Sequence, residues 1–186
     1  MSRVFDDTLD QAYNVRRAIP AHPEIFARWR AEGDHYRESK PDALIDLAYG
    51  PDPKQRLDLF PANQGKTNTP SPLVVLIHGG YWQALDKADN RQMARALNAA
   101  GYAVAVLNYR LCPDVGIAEI VYDVAAASGW LIQHATRLDL DGSQMAILGH
   151  SAGAHLAAML ACQCANQEAT PRFPIRYLGL VSGVYD

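Results

Sequence analysis

A chain of 186 residues, 49% of them hydrophobic, is long enough to bury one good core and sets a single domain as the expectation. Its 17 Lys and Arg against 20 Asp and Glu leave a formal charge of −3, and the basic residues are scattered, which excludes an obvious electrostatic footprint for nucleic acid or anionic lipid. Cys112, Cys162 and Cys164 are odd in number and show no disulfide, redox or zinc spacing, so neither a disulfide framework nor a metal site is expected.

From Asp10 to Lys40 the sequence is polar and reads as a helical N-terminal arm, with Tyr13, Ile25, Phe26 and Trp29 as anchoring side chains. Pro20, Pro23 and Gly33 break it into short pieces. Leu44 to Tyr49 and Gln55 to Phe60 alternate as two antiparallel strands around the turn Gly50-Pro-Asp-Pro53. Pro61 to Pro72 is an exposed loop. Four continuous apolar runs follow, Leu73–Ile77, Val104–Leu107, Met145–Leu148 and Leu178–Val181, which indicate parallel strands buried on both faces. Met93, Leu97 and Ala100 mark the buried face of one intervening helix, with Gly101 as its stop. Ile117, Ile120, Val121, Val124 and Leu131 mark another, so the order implies two right-handed βαβ crossovers.

No internal repeat or linker appears. The expected domain is a single one over 1–186, an arm over about 1–43 and a core over 44–186. Its mostly parallel sheet carries helices on both faces and is incomplete at the C-terminal edge, because the chain stops at Asp186 directly after the fourth parallel strand. The first ten residues hold three Asp and no apolar run, and no stretch reaches the roughly 18 apolar residues of a membrane span, so a cytoplasmic location is the default.

Two motifs carry chemistry. Gly149-His-Ser-Ala-Gly153 matches G-x-S-x-G, in which glycines let a strand turn sharply into a helix and lift the serine oxygen above the sheet. A chain this long meets that pattern by accident on the order of 5% of the time, so the flanking strand and apolar helix decide in its favour. Ser151 is then the candidate nucleophile, with His150 lining or flanking the pocket. The Ala152 amide at the helix start is an expected donor to a developing oxyanion. The second motif, His78-Gly-Gly-Tyr-Trp82, follows the first parallel strand and allows loop amides to face an acyl oxygen. Tyr81 and Trp82 could wall the pocket, or Trp82 could pack beneath the loop.

The succession of His78-Gly-Gly-Tyr-Trp82, Gly101-Tyr-Ala-Val-Ala-Val-Leu-Asn-Tyr-Arg110 and Gly149-His-Ser-Ala-Gly153 resembles the α/β-hydrolase superfamily. The HGGYW form and the arm around Tyr13-Asn-Val-Arg16 resemble its kynurenine formamidase (arylformamidase) group and bacterial esterase relatives. The resemblance implies cofactor-free hydrolysis of an N-formyl amide or ester through an acyl-serine. It places Ser151 as nucleophile and Gly79, Gly80, Tyr81 and Ala152 around the oxyanion hole, with His78 holding the loop.

Members of the superfamily supply the catalytic acid and then the histidine from loops after the nucleophile. After Ser151 this chain has His155, expected to pack against the sheet or a neighbouring helix, and acids such as Glu168 and Asp186, the latter read as structural. His22, His35 and His134 read as surface or packing residues. The partner expected is a small acyl substrate, with a homodimer an open option. A broad carboxylesterase is the alternative reading, and the second is a truncated, catalytically inactive module that serves in binding or pairs its last strand with another chain.

Overall fold

The four apolar runs do become parallel strands, and their alternating side chains divide into two cores. The computed structural model of the chain describes residues 7–63, 69–165 and 173–185. Strands β1 (Leu44–Ala48), β2 (Arg56–Phe60), β3 (Ser71–Ile77), β4 (Ala103–Leu107), β5 (Leu140–His150) and β6 (Ile175–Val181) form one sheet in the order β1-β2-β4-β3-β5-β6. The first two pairings, β1 with β2 and β2 with β4, are antiparallel, and the remaining ones are parallel. Among helices, α1 (Asp7–Tyr13), α2 (Val15–Ala18) and α3 (His22–Glu38) make the arm. α4 (Ala94–Ala99) joins β3 to β4, α5 (Ile117–Gln133) joins β4 to β5, and α6 (Ala152–Ala165) follows β5.

Leu73, Val75 and Ile77 point to one face, where they pack with Ile120, Val124 and Leu131 of α5 and Leu156 and Leu160 of α6. Val74 and Leu76 point to the other, with Phe60, Val106, Ala94 of α4 and Tyr36 of α3. Helices therefore cover both faces, as a buried parallel sheet requires.

Three expectations are corrected. The run Leu178–Val181 is not buried on both faces. Val181 is 49% exposed, because β6 pairs with β5 alone and lies at the sheet edge. Met93 and Ala100 do not face the core. The segment opens as a 3-10 turn over Arg91–Met93, which shifts the helical phase so that Ala94 and Asn98 are buried instead. Pro23 and Gly33 do not break the arm, for both lie inside α3. Pro23 sits in the first turn, where its missing N–H is no loss. Gly33 is needed because a Cβ there would come 2.8 Å from the Ala88 carbonyl oxygen.

The Tyr13 ring is exposed and belongs to neither core, whereas Tyr36 is buried and donates its hydroxyl proton to Asn98 Oδ1 at 2.6 Å. Charged pairs complete the attachment of α3. Arg91 Nη1 lies 2.9 Å from Asp34, and Arg30 Nε lies 2.8 Å from Asp89. Arg91 Nε also meets the fully buried Asp58 at 2.7 Å, and Lys87 Nζ meets the same carboxylate at 2.8 Å. No helix among the described residues is long and apolar enough to cross a membrane.

Candidate active site

The turn between β5 and α6 is built by its two glycines. A Cβ on Gly149 would lie 2.2 Å from the Gly153 carbonyl oxygen, and one on Gly153 would lie 2.1 Å from that of Ile77. Only hydrogen at those positions lets the chain reverse so tightly and lets α6 press on the end of β3. Ser151, between them, is held at φ 54°, a left-handed conformation that costs an L-residue roughly 1–2 kcal/mol. Its N–H donates to Val181 O at 2.8 Å, which fastens the turn to the end of β6. Ala152 is the first residue of α6, so its amide has no partner within the helix.

The loop after β3 is anchored from beneath. His78 is buried and stacks on Tyr109 with ring centroids 4.3 Å apart. Its Nδ1 lies 2.7 Å from Gly79 O and its Nε2 lies 3.2 Å from Asn108 Oδ1. We assign the proton to Nδ1 on the shorter contact. Tyr109 donates its hydroxyl proton to His78 O at 2.8 Å. Burial holds the His78 imidazole below its ordinary pKa, outweighing the opposite pull of its hydrogen bonds, and burial pushes the Tyr109 phenol well above its own. Both are neutral fixtures of the loop.

Past Gly79 the backbone is strained. Gly80 adopts φ 112°, and Tyr81, Trp82 and Leu85 adopt 52°, 59° and 70°. The amides of Gln83 and Ala84 both donate to Gly80 O at 3.0 Å, and Cys112 N–H donates to Trp82 O at 2.8 Å. These bonds close the loop so that Gly79 abuts Ser151, where a Cβ would be 3.1 Å from the serine Cβ.

A cavity of about 740 Å³ opens in front of Ser151. His150, Gly80, Tyr81, Gln83 and Leu85 line one side, and residues of α1 to α3 line the other. The two readings of the aromatic pair are thus divided. Tyr81 walls the cavity, whereas Trp82 packs beneath the loop, edge-on to His155 at 5.1 Å. His155 accordingly points at the loop tryptophan, with its Nδ1 buried and unpartnered. No hydrogen bond joins the Ser151 hydroxyl to a histidine or carboxylate among the described residues. Glu168 and Asp186 lie outside those residues. No cluster with metal-binding composition occurs among them either.

His22, expected at the surface or in packing, packs on Phe26 with ring centroids 5.7 Å apart and also lines the cavity, as do Arg16, Phe26 and Trp29. The spacing of His22, Ile25, Phe26 and Trp29, at i, i+3, i+4 and i+7, was the available signal for one shared helical face. Asn108 is the other residue without an assigned role. Its Oδ1 lies 3.2 Å from His78 Nε2, and its Nδ2–H donates to Asp86 at 2.9 Å.

A family model described as BD-FAE matches residues 57–175. Kynurenine formamidase of Drosophila melanogaster is 32% identical over 160 residues, 84% of this chain and 52% of that protein. That of Danio rerio is 32% identical over 186 residues, covering 97% of this chain and 61% of the relative. Among solved structures, a tributyrin-phosphonate-inhibited esterase B from Lactobacillus rhamnosis aligns with a TM-score of 0.68 and 29% identity, over 95% of this chain and 57% of that one. The chain thus spans 52% to 61% of the length of these two curated relatives.

Proposed function

Because the chain belongs to the BD-FAE family and is an α/β-hydrolase of the arylformamidase-like group, we propose that it is a cytoplasmic serine hydrolase. It cleaves a small N-formyl amide or ester with Ser151 as nucleophile. The observation that carries this reading is the juxtaposition of a serine held at φ 54° with the backbone of Gly79. In a strained turn the hydroxyl stands clear of the sheet and can reach a carbonyl carbon.

In the reaction, Ser151 Oγ attacks the acyl carbon, and the carbonyl oxygen becomes an oxyanion between the Ala152 amide and loop amides in the stretch Gly79 to Tyr81. Such donors are worth about 10²–10³ in rate apiece when aimed at the developing charge. The amine or alcohol leaves to give an acyl-serine, which water then cleaves. No cofactor enters either step. The general base and its supporting acid come from outside the described residues in this reading. Without them the oxyanion hole and binding would support only about 10³- to 10⁴-fold acceleration over water.

Turnover of an N-formyl aryl amide and of a short-chain aryl ester, in the native protein and in Ser151→Ala, tests the assignment. Loss of both activities in the variant supports a serine hydrolase, and activity that survives it contradicts one. The similarity to an esterase favours a second reading, a broad carboxylesterase. A large preference for the ester over the amide would select that reading. A native protein that turns over neither substrate would select a third reading, an inactive binding or pairing module.

A further inference from the structure

We propose that Asn108 is a positioning residue for the loop after β3, its side-chain amide clasping the far end of that loop through Asp86. The inference rests on the reading above, in which amides of the stretch Gly79 to Tyr81 meet the developing oxyanion.

The loop leaves β3 at His78 and ends at Asp86, the N-cap of a 3-10 turn over Lys87–Asp89. Its middle is strained backbone, so its shape has to be imposed from outside. The segment after β4 does this. Tyr109 holds the near end by donating its hydroxyl proton to His78 O, and Cys112 N–H holds the middle at Trp82 O. Asn108 holds the far end: its Nδ2–H donates to Asp86 Oδ2 at 2.9 Å, and its Oδ1 accepts the Lys87 N–H at 3.4 Å. The same oxygen lies 3.2 Å from His78 Nε2, so one amide touches both ends of the loop.

The charge of Asp86 decides which way that amide faces. Burial raises the Asp86 pKa, but the Ala88 N–H and Lys54 outweigh burial and hold the carboxyl below its ordinary value. At neutral pH it therefore only accepts, and the NH2 of Asn108 must face it. Asn108 is 4% exposed, so either end of the amide left unpaired would be costly. Its backbone is tied to the sheet side: the N–H donates to Arg56 O at 3.0 Å, and the C=O accepts the Tyr49 hydroxyl proton at 2.7 Å. The loop thus takes its position from the sheet through this side chain.

Exchanging the two groups tests the clasp. Asn108→Asp sets a carboxylate where the donor stood, facing Asp86, and pushes the far end of the loop away. Asp86→Asn combined with Asn108→Asp restores a donor–acceptor pair with the roles reversed, and asparagine still caps the 3-10 turn. Steady-state kinetics on a short-chain aryl ester should show kcat lower by about 10- to 100-fold in Asn108→Asp, with KM within about twofold of native. The double variant should recover kcat to within about threefold. Hydrogen exchange read by mass spectrometry should show peptides covering residues 79–87 exchanging about tenfold faster in Asn108→Asp, and at native rates in the double variant. If Asn108→Asp does not fold, Asn108→Ala carries the same expectation for kcat and exchange, without recovery on adding Asp86→Asn.

A native kcat in the folded single variant, a loss that shows in KM alone, or no recovery in the double variant would overturn the proposal. A native protein that turns over nothing but shows the exchange pattern would remove the hydrolase reading and leave the clasp standing. Hydrolysis through Ser151 with kcat indifferent to Asn108 would do the reverse.

Discussion

A Cβ placed on Gly79 would lie 3.1 Å from the Cβ of Ser151 and 2.9 Å from the carbonyl oxygen of His150, so the loop after β3 and the turn after β5 meet without slack. Gly79→Ala must therefore displace the loop by a few tenths of an ångström, since the opposing atom is backbone. The amides around the oxyanion would lose their aim while the cavity stays intact. The expected result is a loss in kcat of about 10- to 100-fold with KM little changed, read by steady-state kinetics. Unfolding in denaturant should show a stability change of no more than about 1–2 kcal/mol.

Ser151 itself is strained for a purpose. Replacing it by glycine removes the left-handed penalty along with the hydroxyl, so Ser151→Gly should abolish turnover and raise stability by about 0.5–1 kcal/mol. Ser151→Ala keeps the strain and should lose turnover without that gain. Denaturant midpoints of the two variants, compared with the parent, decide the point.

The buried imidazole of His78 makes stability depend on pH. Burial lowers its folded-state pKa beneath the ordinary 6.5, so below that value the unfolded chain takes up a proton that the folded one refuses. Stability should accordingly fall as the pH drops from 6.5 toward the lower folded value, and be unaffected by this group above 6.5. His78→Gln, which can keep one hydrogen bond without titrating, should flatten the part of the profile due to this residue. Unfolding free energies measured at half-unit pH steps would reveal it.

Asp58 is wholly buried between Lys87 and Arg91, themselves nearly inaccessible. Asp58→Ala takes the buried carboxylate from both cations and leaves Lys87 only the exposed Asp46 and Arg91 only Asp34, so it should cost at most about 3–5 kcal/mol, measured by chemical unfolding. Arg91 also holds α3 through Asp34, so limited proteolysis of the variant should cut first in the arm.

Much of this architecture is legible in the sequence because period and punctuation coincide. The apolar runs that became β3, β4 and β5 are too short for helices and too continuous for exposed strands. The two glycines around Ser151 mark a turn that no other residue could make. The parts that escaped notice depend on distant contacts. Gly33 and Pro23 look like helix breakers until Ala88 is seen to approach the first and the helix start to accommodate the second. Asn98 reads as a surface residue until Tyr36, Phe60 and Tyr102 are seen to satisfy its amide. The cavity wall contributed by Arg16, His22, Phe26 and Trp29 lies more than 50 residues before the loop it faces, and local pattern carries no trace of that pairing.

The central claim is that Ser151 is a nucleophile facing an oxyanion hole. Covalent labelling tests it most directly: the native protein is incubated with diethyl 4-nitrophenyl phosphate, digested, and the peptides weighed. Attack by the serine oxygen on phosphorus with departure of 4-nitrophenolate predicts one diethylphosphoryl adduct, on the peptide containing Ser151, and none in Ser151→Ala. An unlabelled protein, or an adduct on any other residue, would contradict the account.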